Sequence, residues 1–387
     1  MEDALEEIID YRGKTPKKSD SGIPTLSAKS VKNNNIDYSL CYYISLDEYK
    51  RFMVRGFPKV GDVLLTTEAP MGMVARLDRD DVGIAQRLLT LRGKSGVLDN
   101  EYLLYFLQSS IGQSLLKARE TGTTVTGIKQ AEFRKIQIDI PEISVQKKIG
   151  GILRNLDQKI EINNKINENL EQQAQAYFGE LFITNADPNW PECTLSDIGT
   201  IVAGGTPSKS KVEYYADHGI AWITPKDLSV DKSKFISHGE NDISELGFSK
   251  SSATKMPAGT VLFSSRAPIG YIAIAQNEVT TNQGFKSVIP NENIGTAYVY
   301  FMLKNLLPTI EGMASGSTFK EISGAGMKSV PTVMPDDDTF QLFNTFCDPI
   351  FKEQEILEAE NRRLSNLRDS LLPKLMSGEI DISELAL

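Results

Sequence analysis

Two long stretches of the chain carry apolar residues at helical spacing, and each follows a segment of shorter, mixed pattern. From about Ser144 to Phe182, Ile149, Leu153, Leu156 and Ile160 alternate steps of four and three, and Ile166, Leu170 and Tyr177 continue that face. From about Asp338 to Met376, Phe343, Ile350, Leu357, Leu364 and Leu371 recur every seven residues. Sustained heptads predict a coiled-coil seam. Two such helices in one chain, each trailing a globule, are expected to pair antiparallel. A helix of about 39 residues, at ~1.5 Å rise per residue, spans roughly 58 Å, enough to hold two globules apart. Dimerisation or plain core packing is the alternative role. Asn163 interrupts the first seam and Asn361 lies on a flank of the second; each either sets register or is an ordinary solvated residue.

The segments ahead of the helices have a different texture. Short β-branched runs, split by Gly, Pro, Ser and Asn, predict strands at Val63-Leu64-Leu65, Gln137-Ile138-Asp139-Ile140 and Thr260-Val261-Leu262-Phe263. The apolar, aromatic stretches 102–107 and 298–303 predict short buried helices. Each half therefore reads as a mixed α+β globule.

The two halves also resemble each other. Ala4-Leu5-Glu6-Glu7-Ile8 before Gly13-Lys14-Thr15-Pro16 answers to Thr194-Leu195-Ser196-Asp197-Ile198 before Gly204-Gly205-Thr206-Pro207. Ile23-Pro24-Thr25-Leu26 matches Ile220-Ala221-Trp222-Ile223, and Gly61-Asp62-Val63-Leu64-Leu65 matches Gly259-Thr260-Val261-Leu262-Phe263. Ala69-Pro70-Met71-Gly72 matches Ala267-Pro268-Ile269-Gly270, and Tyr102 to Leu107 matches Tyr298 to Leu303. Gly122-Thr123-Thr124 matches Gly316-Ser317-Thr318, and Ile140-Pro141 matches Met334-Pro335. The order is shared and the offset stays between 190 and 198, so the chain is a duplicated globule-plus-helix unit rather than a short-period solenoid.

Charge changes the picture only once its location is counted. The net charge is −9, which taken whole disfavours a nucleic-acid partner. Residues 336–387 hold twelve acidic and five basic side chains, a balance of −7, so the other 335 residues carry only −2. A near-neutral body with clustered lysines is compatible with phosphate binding. Cys41, Cys193 and Cys347 are odd in number and far apart, which fits a reducing cytosol rather than a disulfide framework. The acidic start Met1-Glu2-Asp3-Ala4-Leu5-Glu6-Glu7 lacks the pattern of a signal peptide. It begins very close to the first repeat, leaving room for a few residues ahead of it. A cytoplasmic location is expected.

No catalytic constellation is complete. Gly13-Lys14-Thr15 needs a glycine where Ile8 stands to be a phosphate loop. Asp187-Pro188-Asn189-Trp190 has Asn189 in place of the second proline of an amino-methyltransferase signature, and reads as a linker turn. Glu48-Tyr49-Lys50 matches one part of a nuclease signature without the acidic other part. His218 and His238, the two histidines, make no zinc site with the scattered cysteines.

The order globule, helix, globule, helix resembles the specificity subunits of Type I restriction-modification systems. The residues agree: Ile198-Gly199-Thr200 into Gly204-Gly205-Thr206-Pro207-Ser208, the run Ile220-Ala221-Trp222-Ile223-Thr224-Pro225-Lys226-Asp227-Leu228, and Ser265-Arg266-Ala267-Pro268-Ile269-Gly270 with Asn282-Gln283-Gly284-Phe285. Leu371-Leu372-Pro373-Lys374-Leu375-Met376-Ser377-Gly378-Glu379-Ile380 is similar to the family's usual ending. The first half departs from the pattern, with Glu68 where the second has Arg266 and Ala85 where it has Asn282.

The resemblance implies an α+β chain of two pseudo-symmetric α/β target recognition domains, separated by two long antiparallel helices forming a coiled coil. The segments would be 1–143 and 186–337 for recognition, 144–185 and 338–387 for the spacer helices and tail. The chain would recognise an asymmetric bipartite double-stranded DNA target without catalysing anything. It would carry no cofactor or metal. S-adenosylmethionine, ATP and Mg would belong to two modification subunits and to restriction subunits docked on it. Base edges call for Arg, Lys, Asn, Gln, Ser or Thr, and phosphates for Lys and Arg. The DNA-contact candidates in the first half are Lys14, Thr15, Lys17, Lys18, Lys29, Gln86, Arg87, Thr123, Thr124 and Lys129. In the second they are Thr206, Ser208, Lys209, Lys211, Lys226, Arg266, Gln283, Lys286, Ser317, Thr318 and Lys320, with Arg266 the preferred single residue. A scaffold binding proteins or glycans, and an unrecognised Asp/Glu hydrolase, are the competing functions; a steep salt dependence of duplex binding separates them from DNA reading.

Overall fold

A computed structural model describes residues 1–122, 126–316 and 320–382. It divides into two compact units, Met1–Glu161 with Arg363–Leu387, and Ile162–Arg362. The division cuts both long helices, so each unit holds one globule and one stretch of each helix.

In the first unit the core sheet runs Leu5–Asp10, Leu88–Gly93, Val63–Thr66, Val74–Arg76, all antiparallel. Val63–Thr66 is buried along its whole length. That is why Val63-Leu64-Leu65 is an unbroken apolar run rather than an alternating one. A second sheet places Ile23–Leu26 between Tyr42–Ile44 and Gly83–Ile84. The second unit repeats both layouts. Its core sheet runs Gly199–Ala203, Lys286–Pro290, Val261–Ser265, Ile269–Ala275, with Phe235–Ile236 added in parallel at the edge. Ile220–Ile223 lies between Asn241–Ile243 and Thr280–Thr281. The register confirms the duplication: Thr25 faces Gly83 and Leu26 faces Ile84 in parallel, as Trp222 faces Thr280 and Ile223 faces Thr281.

The predicted buried helices form in both halves but differ in length. Asn100–Gln108 ends where Ser109 caps the next helix, Ser110–Ala118, by accepting from Gly112 N at 3.1 Å. In the second half one helix runs unbroken over Thr296–Met313. The strand expected at Gln137–Ile140 does not form, although its counterpart Pro331–Val333 pairs with Glu192–Thr194. In the first unit Glu2–Ala4 forms a 3-10 turn beside that segment. Without an extended neighbour, residues 137–140 have no ladder to join.

The long helices span Ile143–Gly179, continued by a π-helical turn Glu180–Thr184, and Asp337–Ser377. Within the second unit their contacts run in opposite senses. Tyr177 meets Phe346 at 4.5 Å between ring centroids, Gln354 donates to Asn167 O at 3.0 Å, and Asn163 donates to Asn361 Oδ1 at 2.9 Å. The pair is antiparallel, as expected. Within the first unit, Arg368 pairs with Asp157 at 2.7 Å, and Ile149, Leu153 and Leu375 join the globule's core.

The seam departs from the sequence reading at one turn. Ile166, assigned to it, is 41% exposed, whereas Asn163 is fully buried. Asn163 is not a solvated residue: it donates to Glu360 Oε2 at 2.8 Å as well as to Asn361. A polar layer therefore replaces the apolar one, because buried amide donors need acceptors and the facing helix supplies them.

Candidate nucleic-acid interface

The second unit gathers four of the predicted residues around one cleft of about 550 Å³. Thr206, Lys209, Lys226 and Gln283 line it, with Tyr215, Trp222, Thr224, Asn241 and Asn282 among the others. Its wall begins at Gly204-Gly205. A Cβ on Gly204 would come within 2.0 Å of Asn282 O, and one on Gly205 within 2.4 Å of Ala253 N. Only glycine allows the loop to lie this close. Gly205 N donates to Thr281 O at 2.8 Å, and Trp222 Nε1 donates to Gly205 O at 3.0 Å. Tyr215 Oη fixes the next turn through Pro207 O at 2.9 Å.

On that base, Thr206 Oγ1 donates to Gln283 Oε1. With its oxygen engaged by Thr206, Gln283 has its amide N–H groups left to offer a ligand. Asn282 Oδ1 accepts from Gly284 N at 2.8 Å, an Asx turn that presents Gln283 at the loop tip. Lys226 reaches Glu240 at 2.5 Å, and this hydrogen bond raises its pKa. Asp227 holds the floor by accepting from Thr224 N at 2.7 Å and Glu240 N at 2.8 Å. Ser208, Lys209 and Lys211 are exposed on the adjoining loop.

Arg266 and Lys286 form a second group. Arg266 Nη1 lies 3.4 Å from Glu321 Oε2, and Lys286 Nζ lies 3.7 Å from Glu321 Oε1. Lys286 is only 8% exposed. Burial pushes its pKa down, and Glu321 pulls the other way. Lys320 is exposed beside them, while Ser317 and Thr318 lie outside the described residues.

The first unit places Lys14, Thr15, Lys17 and Lys18 on an exposed loop after Leu5–Asp10. Gly13 turns the chain with φ +75°, and Lys14 N donates to Tyr11 O at 3.1 Å. Lys17 N is anchored on Glu48 Oε1 at 2.9 Å, and Lys18 Nζ sits 4.8 Å from the Tyr42 ring centroid. Arg12 and Arg55 belong to the same basic face. Arg55 Nη1 donates to Asp10 O at 2.9 Å. Arg12 was legible as a neighbour of Lys14; Arg55 was not, since only the fold brings it there. Gln86 is half-buried, and Arg87 pairs with Glu68 at 2.7 Å. Lys29 and Lys129 are exposed at separate places, in the turn 27–30 and at the cap of Gln130–Arg134. Thr123 and Thr124 lie outside the described residues. A cleft of about 610 Å³, lined by Ala69, Pro70, Gln113, Lys117 and Thr126 among others, contains none of the predicted residues among the described ones.

Among the described residues no group of His, Cys, Asp and Glu is placed to hold a metal ion, and no helix is long and apolar enough to cross a membrane. His218 and His238 are exposed, and the three cysteines are free.

Comparison with known proteins converges on one family. The model of the Type I restriction modification DNA specificity domain matches residues 2–172 and again 188–364. The specificity subunit of the Type I restriction enzyme MjaIX of Methanocaldococcus jannaschii is 37% identical over 190 residues, 47% of this chain. That match spans 44% of the relative's length. The HindI specificity subunit of Haemophilus influenzae is 24% identical over 403 aligned positions, 83% of this chain and 87% of the relative. A crystal structure of a Type I restriction-modification S subunit from M. genitalium superposes with a TM-score of 0.60 at 18% identity, covering 93% of this chain and 95% of that one.

Proposed function

The chain belongs to the Type I restriction-modification DNA specificity family, and on that premise we propose how its two units divide the reading of a target. It is a DNA-recognition subunit and not an enzyme. One observation carries the division of labour: the family model matches twice, and each match falls on a globule of the same layout with different surface chemistry. The recognition segments are 1–143 and 186–337, and 144–185 and 338–387 supply the spacer helices. Each recognition segment reads one part of an asymmetric bipartite site.

The candidate residues then separate by chemistry. The basic loop of Lys14, Lys17 and Lys18, with Ser208, Lys209 and Lys211 in the second unit, suits phosphates. Gln86, Arg87, Arg266 and Gln283 suit base edges. Two modification subunits and the restriction subunits assemble on this chain. S-adenosylmethionine, ATP and Mg serve those partners, and the complex works in the cytoplasm.

Duplex binding at graded salt tests the reading. The assembled complex is expected to lose affinity steeply with salt, by about 0.9 per phosphate contact in the log–log slope. It is also expected to require both parts of its target. Binding that is indifferent to salt, or equal on scrambled duplex at every salt concentration, contradicts the proposal.

A further inference from the structure

Both units build the same corner from three backbone positions, and the same three residue types occupy it in rotated order. The positions after Val63–Thr66, before Leu88–Gly93 and bridged to Thr121 hold Glu68, Arg87 and Gly127. Their equivalents in the second unit hold Arg266, Gly284 and Glu321. Hydrogen bonds establish the equivalence. Thr67 N donates to Arg87 O at 3.0 Å, and Ser265 N to Gly284 O at 2.7 Å. Ile128 N donates to Thr67 O at 2.9 Å, and Ile322 N to Ser265 O at 3.1 Å. Glu68 bridges Gly127 as Arg266 bridges Glu321.

Each corner thus brings one guanidinium to one carboxylate, rooted on different segments. Stability does not account for this. The Arg87 and Arg266 side chains are 49% and 36% exposed, and ion pairs so exposed add little. Arg87 also holds φ +72°, a conformation disfavoured for a residue with a side chain, which its equivalent Gly284 does not share. A disfavoured backbone that carries a half-exposed guanidinium points to a binding task.

We propose that each pair is a latch: Glu68 and Glu321 occupy the guanidinium forks of Arg87 and Arg266 in free protein and yield them to DNA. The proposal rests on the DNA-reading assignment above and adds what competes with the duplex. Lys286, beside the same Glu321, is freed together with Arg266. A guanidinium fork donates equally well to a phosphate or to the O6/N7 edge of guanine.

The test uses the full chain assembled with its modification subunits and a fluorescent duplex carrying the methylated target. Glu68→Gln and Glu321→Gln are each expected to bind about two- to fivefold tighter at low salt, as removal of a competing exposed ion pair predicts. Arg87→Ala and Arg266→Ala are expected to bind about tenfold weaker or worse, and to cancel the gain of the matching glutamine variant. Melting temperatures of all four control for folding. If 7-deazaguanine in the matching half-site abolishes the gain, the fork takes a guanine edge. If the gain persists there with a changed salt slope, it takes a phosphate. Glutamine variants that bind no tighter than wild type, while the alanine variants weaken, make the carboxylates mere supports and overturn the latch. A wild-type complex that ignores the duplex overturns the DNA reading and the latch with it.

Discussion

Replacing Lys234 with methionine measures how firmly the second globule is tied to the helix segments in its own unit. The Lys234 side chain is 7% exposed and pairs with Glu171 of the first long helix. Its ammonium also donates to Gln354 Oε1 of the second long helix at 2.6 Å and lies 4.0 Å from the Phe351 ring centroid. Its backbone N–H donates to Glu358 at 2.9 Å. Methionine keeps most of the packing against Phe351 and Tyr300 but leaves Glu171 short of a cation. Breaking a buried pair from one side costs about 3–5 kcal/mol. Lys304 still reaches Glu171 at 2.8 Å, which places the expected loss near ~3 kcal/mol, the lower end of that range. Both tryptophans, Trp190 and Trp222, lie in the second unit, so their fluorescence during urea unfolding reports this unit alone. The double variant Lys234→Met with Glu171→Leu removes both charges and is expected to recover all but about 1 kcal/mol. A single variant costing under ~1 kcal/mol, or a double variant no better than the single, refutes the reasoning.

Three further outcomes follow from the same geometry. Asn163→Ala removes the buried amide that donates to Asn361 Oδ1 and Glu360 Oε2, and should cost about 1–3 kcal/mol in the same urea assay. Burial disfavours the Glu171 carboxylate, but Lys234 and Lys304 outweigh it and hold its pKa below the usual value. Its stabilising contribution is therefore present above about pH 4.3 and lost as pH falls through the lowered pKa. Glu171→Gln should flatten the acid limb of the tryptophan-monitored stability profile. Thr206→Val frees Gln283 Oε1 to accept while Nε2 donates, and should shift preference toward adenine at one position of the second half-site. Competition binding with single-base variants of each half-site reads this, and an unchanged preference removes Gln283 from the base-reading set.

The sequence was most informative where a pattern repeats. The heptads located both long helices to within a few residues, and the shared order of weak matches located two equivalent globules. Those signals survive where the repeated positions are buried, as at Val63–Thr66 and Val261–Ser265. Position-specific chemistry was harder to see. Ile166 fits the helical period, yet the seam turns on Asn163, since a facing Asn361 makes a polar layer workable and period alone cannot reveal a partner. The extended run 137–140 looks like its counterpart 331–333, but a strand exists only with a neighbour. In the site, Lys226 and Gln283 were visible as residue types. The Asx turn at Asn282 and the rotated Glu, Arg and Gly corner were not, because both depend on which backbones the fold brings together.

Single-molecule methylome sequencing of the host tests the central claim most directly, comparing the intact gene with one whose residues 190–335 are exchanged for those of another family member. The account predicts a two-part methylated motif in which the exchange rewrites one part and leaves the other unchanged. A motif altered in both parts, or a methylome insensitive to this gene while its partner subunits are expressed, contradicts it.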